Sequence, residues 1–505
     1  MKEKILALTD LAQVVADARA AGKKVAHCHG VFDLLHPGHI KHFEAARKAG
    51  DLLVVTLTQD KYVNKGPGRP AFNEQIRLET IAALAVVDYV ALNQWPTAIE
   101  LLEVLRPSFY VKGQEYRDFD ADLTGNIRKE VDAVRAHGGD VYFTDEVVFS
   151  SSKLINAHYN PLGDEVKSYL DQLKAAIPPD TMLDRIQSLE NLRILVIGDT
   201  IIDEYHYVVS LGKSSKSPTL STRYLRESTF AGGVLAIANH LNQFAGKVHL
   251  VTVLGRQNDH MDVIAPKVSA DIEAKYFYRE DGPTPTKRRY ITEFLNSKIF
   301  EVTFMNDAPI SAALEQEMIA HLASVLPDYD AVLISDFGHG LITPGIIEFL
   351  TQQEVFVAVN AQTNSNNYGY NYITKYKGVD YISIDENELR LPFGDKHGGI
   401  EQLIHRLQET THCPSIMITL GQKGAVYYRE GQFYHAPALA TSVVDSVGAG
   451  DAVLSVTTLC AKNDIEPELM PFIGNATGAL AVTILGNERP VNRVELTKMI
   501  HHLLK

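Results

Sequence analysis

His29-Gly30-Val31-Phe32-Asp33-Leu34-Leu35-His36-Pro37-Gly38-His39 decides how the first part of the chain folds. A β-like run over 25–29 enters this stretch, and a helical pattern over 40–49 leaves it. A strand that turns through glycine into a helix opens a parallel α/β sheet. Gly30 gives the tight turn, and Pro37 suits a first helical turn. The helix start turns backbone N–H groups and a positive dipole end toward an incoming anion. Gly38 lets a phosphate come close. Two imidazoles three residues apart, His36 and His39, can both face one phosphate. Their donors would stabilise charge that builds on an α-phosphoryl group during in-line displacement. Asp33 is placed to orient a histidine or the loop. His36-Pro37-Gly38-His39 alone is equally a chance helix start; the full string is far more specific.

Outward from this point, residues 25–160 alternate strands and helices. Further strands are expected over 52–58, 89–92, 109–112 and 140–143, and helices over 74–86 and 127–137. This spacing predicts a parallel sheet with helices on both faces. Residues 161–189 hold Pro161, Pro178 and Pro179 around helical segments and read as a linker. Leu192-Arg193-Ile194-Leu195-Val196-Ile197-Gly198-Asp199 then opens a second α/β unit. Its further strands are expected over 247–254, 331–335, 355–360, 381–384, 415–420 and 425–428. Segments 204–229 and 285–305, rich in Tyr, Thr, Arg and Phe, read as antiparallel strands inserted in the larger sheet as a lid. The expected domains are 1–160 and 190–505, both α/β. A length of 505 residues fits two or three domains.

The composition is that of a soluble globular protein, 45% hydrophobic and 22% charged. A net charge of −14 argues against a nucleic-acid partner. Cys28, Cys413 and Cys460 form no disulfide or zinc pattern, which fits a reducing cytoplasm. The N-terminus lacks a secretory apolar core, and no uninterrupted apolar run is long enough for a membrane span.

A second phosphate-handling stretch reads Asp445-Ser446-Val447-Gly448-Ala449-Gly450-Asp451. Gly448, Ala449 and Gly450 at a helix start present backbone donors to an anion. Asp451 follows directly, where a carboxylate can accept the proton of an attacking hydroxyl. The tetrapeptide alone is also an ordinary glycine-rich helix cap.

The first stretch resembles the cytidylyltransferase-like nucleotidyltransferase signature, Gly-x-Phe-Asp-x-x-His-x-Gly-His. The resemblance runs from about 24 to 158. It takes in Lys65-Gly66, Arg69-Pro70, Asn73-Glu74-Gln75, Val111-Lys112-Gly113 and Ser150-Ser151-Ser152. It implies catalysis by His36 and His39. It implies nucleotide contacts from Gly30, Phe32, Asp33, Lys65, Lys112, Ser150, Ser151 and Ser152. This half looks most like the adenylyltransferase half of bifunctional heptose-7-phosphate kinase/heptose-1-phosphate adenylyltransferases. His29 and Lys153 stand where those enzymes have other polar residues. For His29, a packed, hydrogen-bonded histidine and a ligand contact both remain open.

The second stretch resembles the ribokinase (PfkB) signature, Asp-Thr-x-Gly-Ala-Gly-Asp, with Ser446 in place of Thr. The resemblance covers roughly 190–490. It implies Asp451 as base, with Asp203, Gly232 and Gly233 at the sugar. Thr419, Gly421, Gly424, Gly448, Ala449 and Gly450 would lie at the nucleotide, and Asp385 and Glu388 at Mg²⁺. Ala236 stands where such kinases usually have Asn. Asn360-Ala361-Gln362 replaces an Asp-Pro-Lys of the heptose kinases. The order of the halves is the reverse of the usual heptose enzyme.

Together these resemblances imply sugar activation for nucleotide-sugar synthesis, toward precursors of bacterial surface polysaccharide. One half phosphorylates a sugar or sugar phosphate with ATP. The other transfers a nucleotidyl group from ATP or CTP to a sugar-1-phosphate and releases pyrophosphate. Mg²⁺ is implied in both, with a monovalent cation as a further candidate, in a cytoplasmic homo-oligomer, as a dimer. An alternative makes the kinase-like half a non-catalytic sugar-binding module beside a nucleotidyltransferase acting on an alcohol phosphate. Three further features stay open: the basic Lys287-Arg288-Arg289, His339 beside Gly338 and Gly340, and the tyrosines at 368, 370, 372, 376 and 381.

Overall fold

The structure, a computed structural model, describes residues 2–63, 69–117, 126–144, 163–293 and 297–504. Two compact units are present: Met1–Lys167 with Lys498–Lys505, and Ser168–Thr497.

The first unit holds β1 (Val25–Gly30), β2 (Leu52–Thr58), β3 (Tyr89–Asn93), β4 (Phe109–Gly113) and β5 (Asp140–Thr144). They lie in the order β3-β2-β1-β4-β5, all parallel. β2 buries its central residues on both faces, which explains its unbroken apolar run. One face packs on Phe43 and Ala46. The other packs on Leu8, Leu11, Leu101 and Leu105. The sheet is wound outward from β1 in both directions. A crevice therefore opens beyond the C-terminal ends of β1 and β4, where ligands of such sheets bind. The helix expected over 74–86 ends earlier, as Glu74–Ala82. The chain turns there and delivers Asp88, whose carboxylate accepts from Leu53 N at 2.8 Å.

The second unit holds thirteen strands among its described residues. They are β6 (Arg193–Gly198), β7 (Thr200–Lys213), β8 (Leu220–Gly233), β9 (Lys247–Gly255), β10 (Glu273–Arg279), β11 (Thr286–Thr292) and β12 (Ser297–Phe304). Then come β13 (Ala331–Asp336), β14 (Phe356–Ala361), β15 (Tyr381–Asp385), β16 (Ser415–Thr419), β17 (Ala425–Arg429) and β18 (Gln432–Ala436). The large sheet runs β10-β9-β6-β13-β14-β15-β16-β17-β18. It is parallel as far as β16 and antiparallel beyond it. The helix Ala449–Lys462, buried from Ala452 to Cys460, packs within this unit.

The lid strands are not inserted in that sheet. They form a separate four-stranded sheet, β12-β11-β7-β8, in which β7 and β11 run parallel. A strand inside the large sheet is covered on both faces and needs a near-continuous apolar run. β7, β8 and β12 carry long exposed stretches instead.

The segment 161–189 carries the helices Gly163–Ala176 and Pro179–Ser188. Arg185 pairs with Glu466 at 2.7 Å, and Asn463 donates to Ser188 at 2.8 Å. No helix among the described residues is long and apolar enough to cross a membrane.

Candidate functional site

In the first unit, Gly30 ends β1 and Phe32 follows with φ +48°. The Phe32 ring meets His39 edge-on, centroids 5.5 Å apart, and lies 5.0 Å from Phe43. The loop is thus pressed onto the core. His36 takes the N-cap position of the helix Pro37–Ala49. His39 N donates to His36 O at 2.9 Å. The two imidazoles stack, centroids 3.9 Å apart at 24°. Burial holds His36 below its ordinary pKa of 6.5. A neutral imidazole still has one N–H to offer.

Asp33 serves the loop. It accepts from Arg69 Nη1 and from Phe72 N, each at 3.1 Å. Sequence reasoning missed Arg77, which is buried at the centre of these loops. It donates to Val31 O at 2.6 Å, Thr58 O at 2.9 Å and Phe72 O at 3.0 Å, and pairs with Asp60 at 2.6 Å. The available signal was an arginine beside Leu78 on the apolar face of a helix.

Lys112, near the end of β4, pairs with Glu130 at 2.9 Å. Tyr110 donates to the same carboxylate at 3.1 Å. His27 and His29 share one face of β1 and both meet Thr56 Oγ1, at 2.8 and 2.9 Å. Burial, then the Lys112 charge, lowers His29 to about 3 and His42 to about 4. His29 is a packed, neutral, hydrogen-bonded histidine. Lys65, Lys153, Ser150, Ser151 and Ser152 lie outside the described residues.

In the second unit, Asp203 projects from β7 beside Lys287, its register partner on β11. Arg289 pairs with Asp203 and with Glu301 at 2.8 Å. Gly232 and Gly233 close β8. A Cβ at Gly232 would run into the Asp203 carboxylate. Gly448 caps the helix Ala449–Lys462 at φ +80°, and Asp451 lies in its first turn. Burial, with the Asp203 charge second, pushes Asp451 up to about 7. Thr419 ends β16, and Gly421 and Gly424 shape the turn into β17.

Asp385 and Glu388 form a capping box. Glu388 accepts from Thr363 N at 3.0 Å and Asp385 N at 2.9 Å. Burial, then Asp385, raises Glu388 to about 8, with a smaller push from Asp451. Among the described residues no group of three His, Cys, Asp or Glu side chains is arranged to hold a metal. The pair still suits Mg²⁺ held through water, because this ion keeps most of its waters and a nearby cation relieves the crowded carboxylates.

The departures have structural partners. Asn360 Nδ2 donates to Ser383 O at 2.8 Å, and Gln362 N donates to Asp336 O at 2.8 Å. Ala236 is buried in the helix Val234–Asn242. Tyr376 and Tyr381 are buried, whereas Tyr368 and Tyr370 are exposed. Asp445 was quoted in the motif without a role. It accepts from Tyr205 OH at 2.7 Å, Lys298 Nζ at 2.9 Å, Gly486 N at 3.1 Å and Val447 N at 3.2 Å. Burial acts to raise its pKa, but Lys298, Tyr205 and Val447 N outweigh that and hold it below 3.8.

Comparison with known proteins places this arrangement. Residues 191–492 match the pfkB family of carbohydrate kinases, and residues 27–157 match the cytidylyltransferase-like family. The chain belongs to the pfkB carbohydrate kinase family, with a cytidylyltransferase-like region ahead of the kinase fold. It is similar to the bifunctional protein HldE of Trichlorobacter lovleyi, 25% identical over 309 residues, 59% of this chain and 61% of that protein. HldE of Campylobacter jejuni is 26% identical over 304 residues, 59% and 63%. HldE of Syntrophotalea carbinolica is 40% identical over 146 residues, 28% of each. The first two matches thus span less than two thirds of those relatives' length. Ribokinase of Thermotoga maritima superposes with a TM-score of 0.47 at 19% identity, covering 61% of this chain and 99% of that one.

Proposed function

We propose that the protein is a bifunctional sugar-activating enzyme. The second unit transfers a phosphoryl group from ATP to a sugar or sugar phosphate of heptose type. The first transfers a nucleotidyl group from ATP or CTP to a sugar-1-phosphate and releases pyrophosphate. The reading rests above all on Asp203 and Asp451, brought together from distant sequence beside a glycine-capped helix start. Asp203 holds a sugar hydroxyl, and Asp451 accepts the proton of the attacking one. The N–H groups after Gly448 receive the developing negative charge. Asp385 and Glu388 would hold Mg²⁺ through water; when bound, it neutralises phosphate charge. In the first unit, the stacked His36 and His39 donate to the α-phosphate at a helix start.

We place the enzyme in the cytoplasm as a homodimer. The exposed Leu211, Tyr224, Phe300 and Phe304 of the four-stranded sheet support an association surface. The deciding experiment incubates the protein with ATP or CTP and a panel of sugars, their monophosphates and sugar-1-phosphates. ADP and pyrophosphate are measured separately. ADP formation without pyrophosphate would leave only the kinase half of the proposal, and the converse only the other half.

A further inference from the structure

Asn487 has no part in the mechanism above. It lies in the loop that follows the helix Leu469–Ala481. Its carboxamide is half-buried and makes no hydrogen bond or ion pair among the described residues. Two glycines from different motifs meet it. A Cβ at Gly448 would run into Asn487 Oδ1, and a Cβ at Gly232 would lie 3.4 Å from Asn487 Nδ2. Gly448 caps the helix that carries Asp451. Gly232 lies against the Asp203 carboxylate. One uncommitted amide thus reaches both halves of the proposed kinase site.

The amide is also held in place from behind. Gly486, just before it, has φ +51° and donates through its N–H to Asp445 Oδ2 at 3.1 Å. The Phe230 ring lies 3.1 Å from where a Gly486 Cβ would stand. Asp445 is itself tied to Tyr205 and Lys298. The backbone that carries Asn487 is therefore set before a ligand arrives, which lowers the ordering cost of a contact made there.

The chemistry beside the amide says what it fits. Asp203 Oδ1 pairs with Arg289. Asp203 Oδ2 is the atom that a Cβ at Gly232 would strike, so Oδ2 and Asn487 Nδ2 approach the same point. An ionised carboxylate only accepts hydrogen bonds, and an amide nitrogen only donates them. Side by side, and not bonded to each other, they match one oxygen that both gives and takes a hydrogen bond. That is an alcohol hydroxyl.

We propose that Asn487 is a specificity-determining residue for the acceptor sugar. Its Nδ2 donates to the same hydroxyl whose proton Asp203 Oδ2 accepts. This is the hydroxyl that is held, not the one that attacks. The inference rests on the reading of the second unit as a sugar kinase.

The test is calorimetric titration of the full-length protein with hexoses and heptoses, free and as terminal monophosphates. Monodeoxy analogues of the tightest binder follow, and ADP formation is measured on the same samples. In the unsubstituted protein one monodeoxy analogue should bind about 10-fold more weakly than its parent. Asn487→Ala should weaken the parent by about 3–10-fold and that analogue by about twofold at most. Asn487→Asp keeps the shape, loses the donor and adds a charge beside Asp203, so it should weaken the parent further. Parent affinity unchanged by Asn487→Ala overturns the inference. So does an equal loss for the parent and every monodeoxy analogue, which is the signature of packing alone. So does full affinity in Asn487→Asp, or the absence of any sugar binding. ADP formation without the hydroxyl-specific loss would leave the kinase reading and remove this assignment. Hydroxyl-specific loss without ADP formation would sink the kinase reading and leave Asn487 at a sugar-binding site.

Discussion

Asp451→Asn should make the protein more stable and less active, and the stabilisation should grow with pH. Burial, then Asp203, raises the Asp451 carboxyl from 3.8 to about 7. Below about pH 4 it is protonated in both the folded and the unfolded chain and carries no penalty. Between about pH 4 and 7 the unfolded chain loses this proton while the folded chain keeps it, so stability falls as pH rises. Above about pH 7 the loss levels off. At about 1.36 kcal/mol per pH unit the whole effect would be about 4 kcal/mol. Asp451 keeps partial contact with solvent, which cuts the working figure to about 2 kcal/mol. Asn keeps the size and discards the charge. Trp95, the single tryptophan, lies in the first unit, so unfolding in urea is best followed by far-UV circular dichroism. The gain from Asp451→Asn should be about 1 kcal/mol larger at pH 8 than at pH 5. ADP formation should fall by about 10²–10⁴. A gain independent of pH would refute this reasoning, because the cost would then not come from ionising this carboxyl.

The other expectations use separate readouts. His39→Ala removes a donor to the α-phosphate and should slow pyrophosphate release by about 10²–10³, with ADP formation by the same sample unchanged. Gly232→Ala places a methyl group where the Asp203 carboxylate lies, so calorimetry should find sugar binding to the second unit lost. Asp445→Asn weakens the tie to Lys298 and Tyr205. It should cost about 1–3 kcal/mol in urea unfolding at pH 7.

The two large sheets were legible because their central strands are nearly continuous apolar runs that end at glycine or at a motif. β6, β13 and β16 carry that signal, whereas the strands at the margin do not. β10 reads Glu-Ala-Lys-Tyr-Phe-Tyr-Arg and is only half covered at an edge. β18 follows a two-residue turn, Glu430-Gly431, with both φ values positive, +50° and +84°. Glutamate gives no turn signal at the first of these positions. The candidate sites divide in the same way. Residues that act within one turn of helix, such as His36 and His39, are visible as spacing. Partners supplied by topology are not. Arg289 reaches Asp203 across 86 residues and Lys298 reaches Asp445 across 147. Nothing local in either segment announces its partner.

The two sites differ in how they treat charge, and the difference follows the chemistry proposed for each. In the first unit the carboxylates near the glycine loop are matched by cations: Asp33 by Arg69, Asp60 by Arg77 and Glu130 by Lys112. His36, His29 and His42 are held toward their neutral forms. No unmatched carboxylate among these residues repels a nucleoside triphosphate, and no strong base is needed, because the attacking phosphate is already an anion. In the second unit a sugar hydroxyl must lose a proton as it attacks. There burial, then Asp203, raises the proton affinity of Asp451, and burial, then Asp385 with a smaller push from Asp451, raises that of Glu388. Burying these carboxylates is costly for the protein alone, and on the proposed reading a cation and a polarised hydroxyl would offset that cost. The cost falls on the apo protein, and the gain appears in the loaded site. Such a site should tighten its fold on binding magnesium and nucleotide together more than on binding either alone.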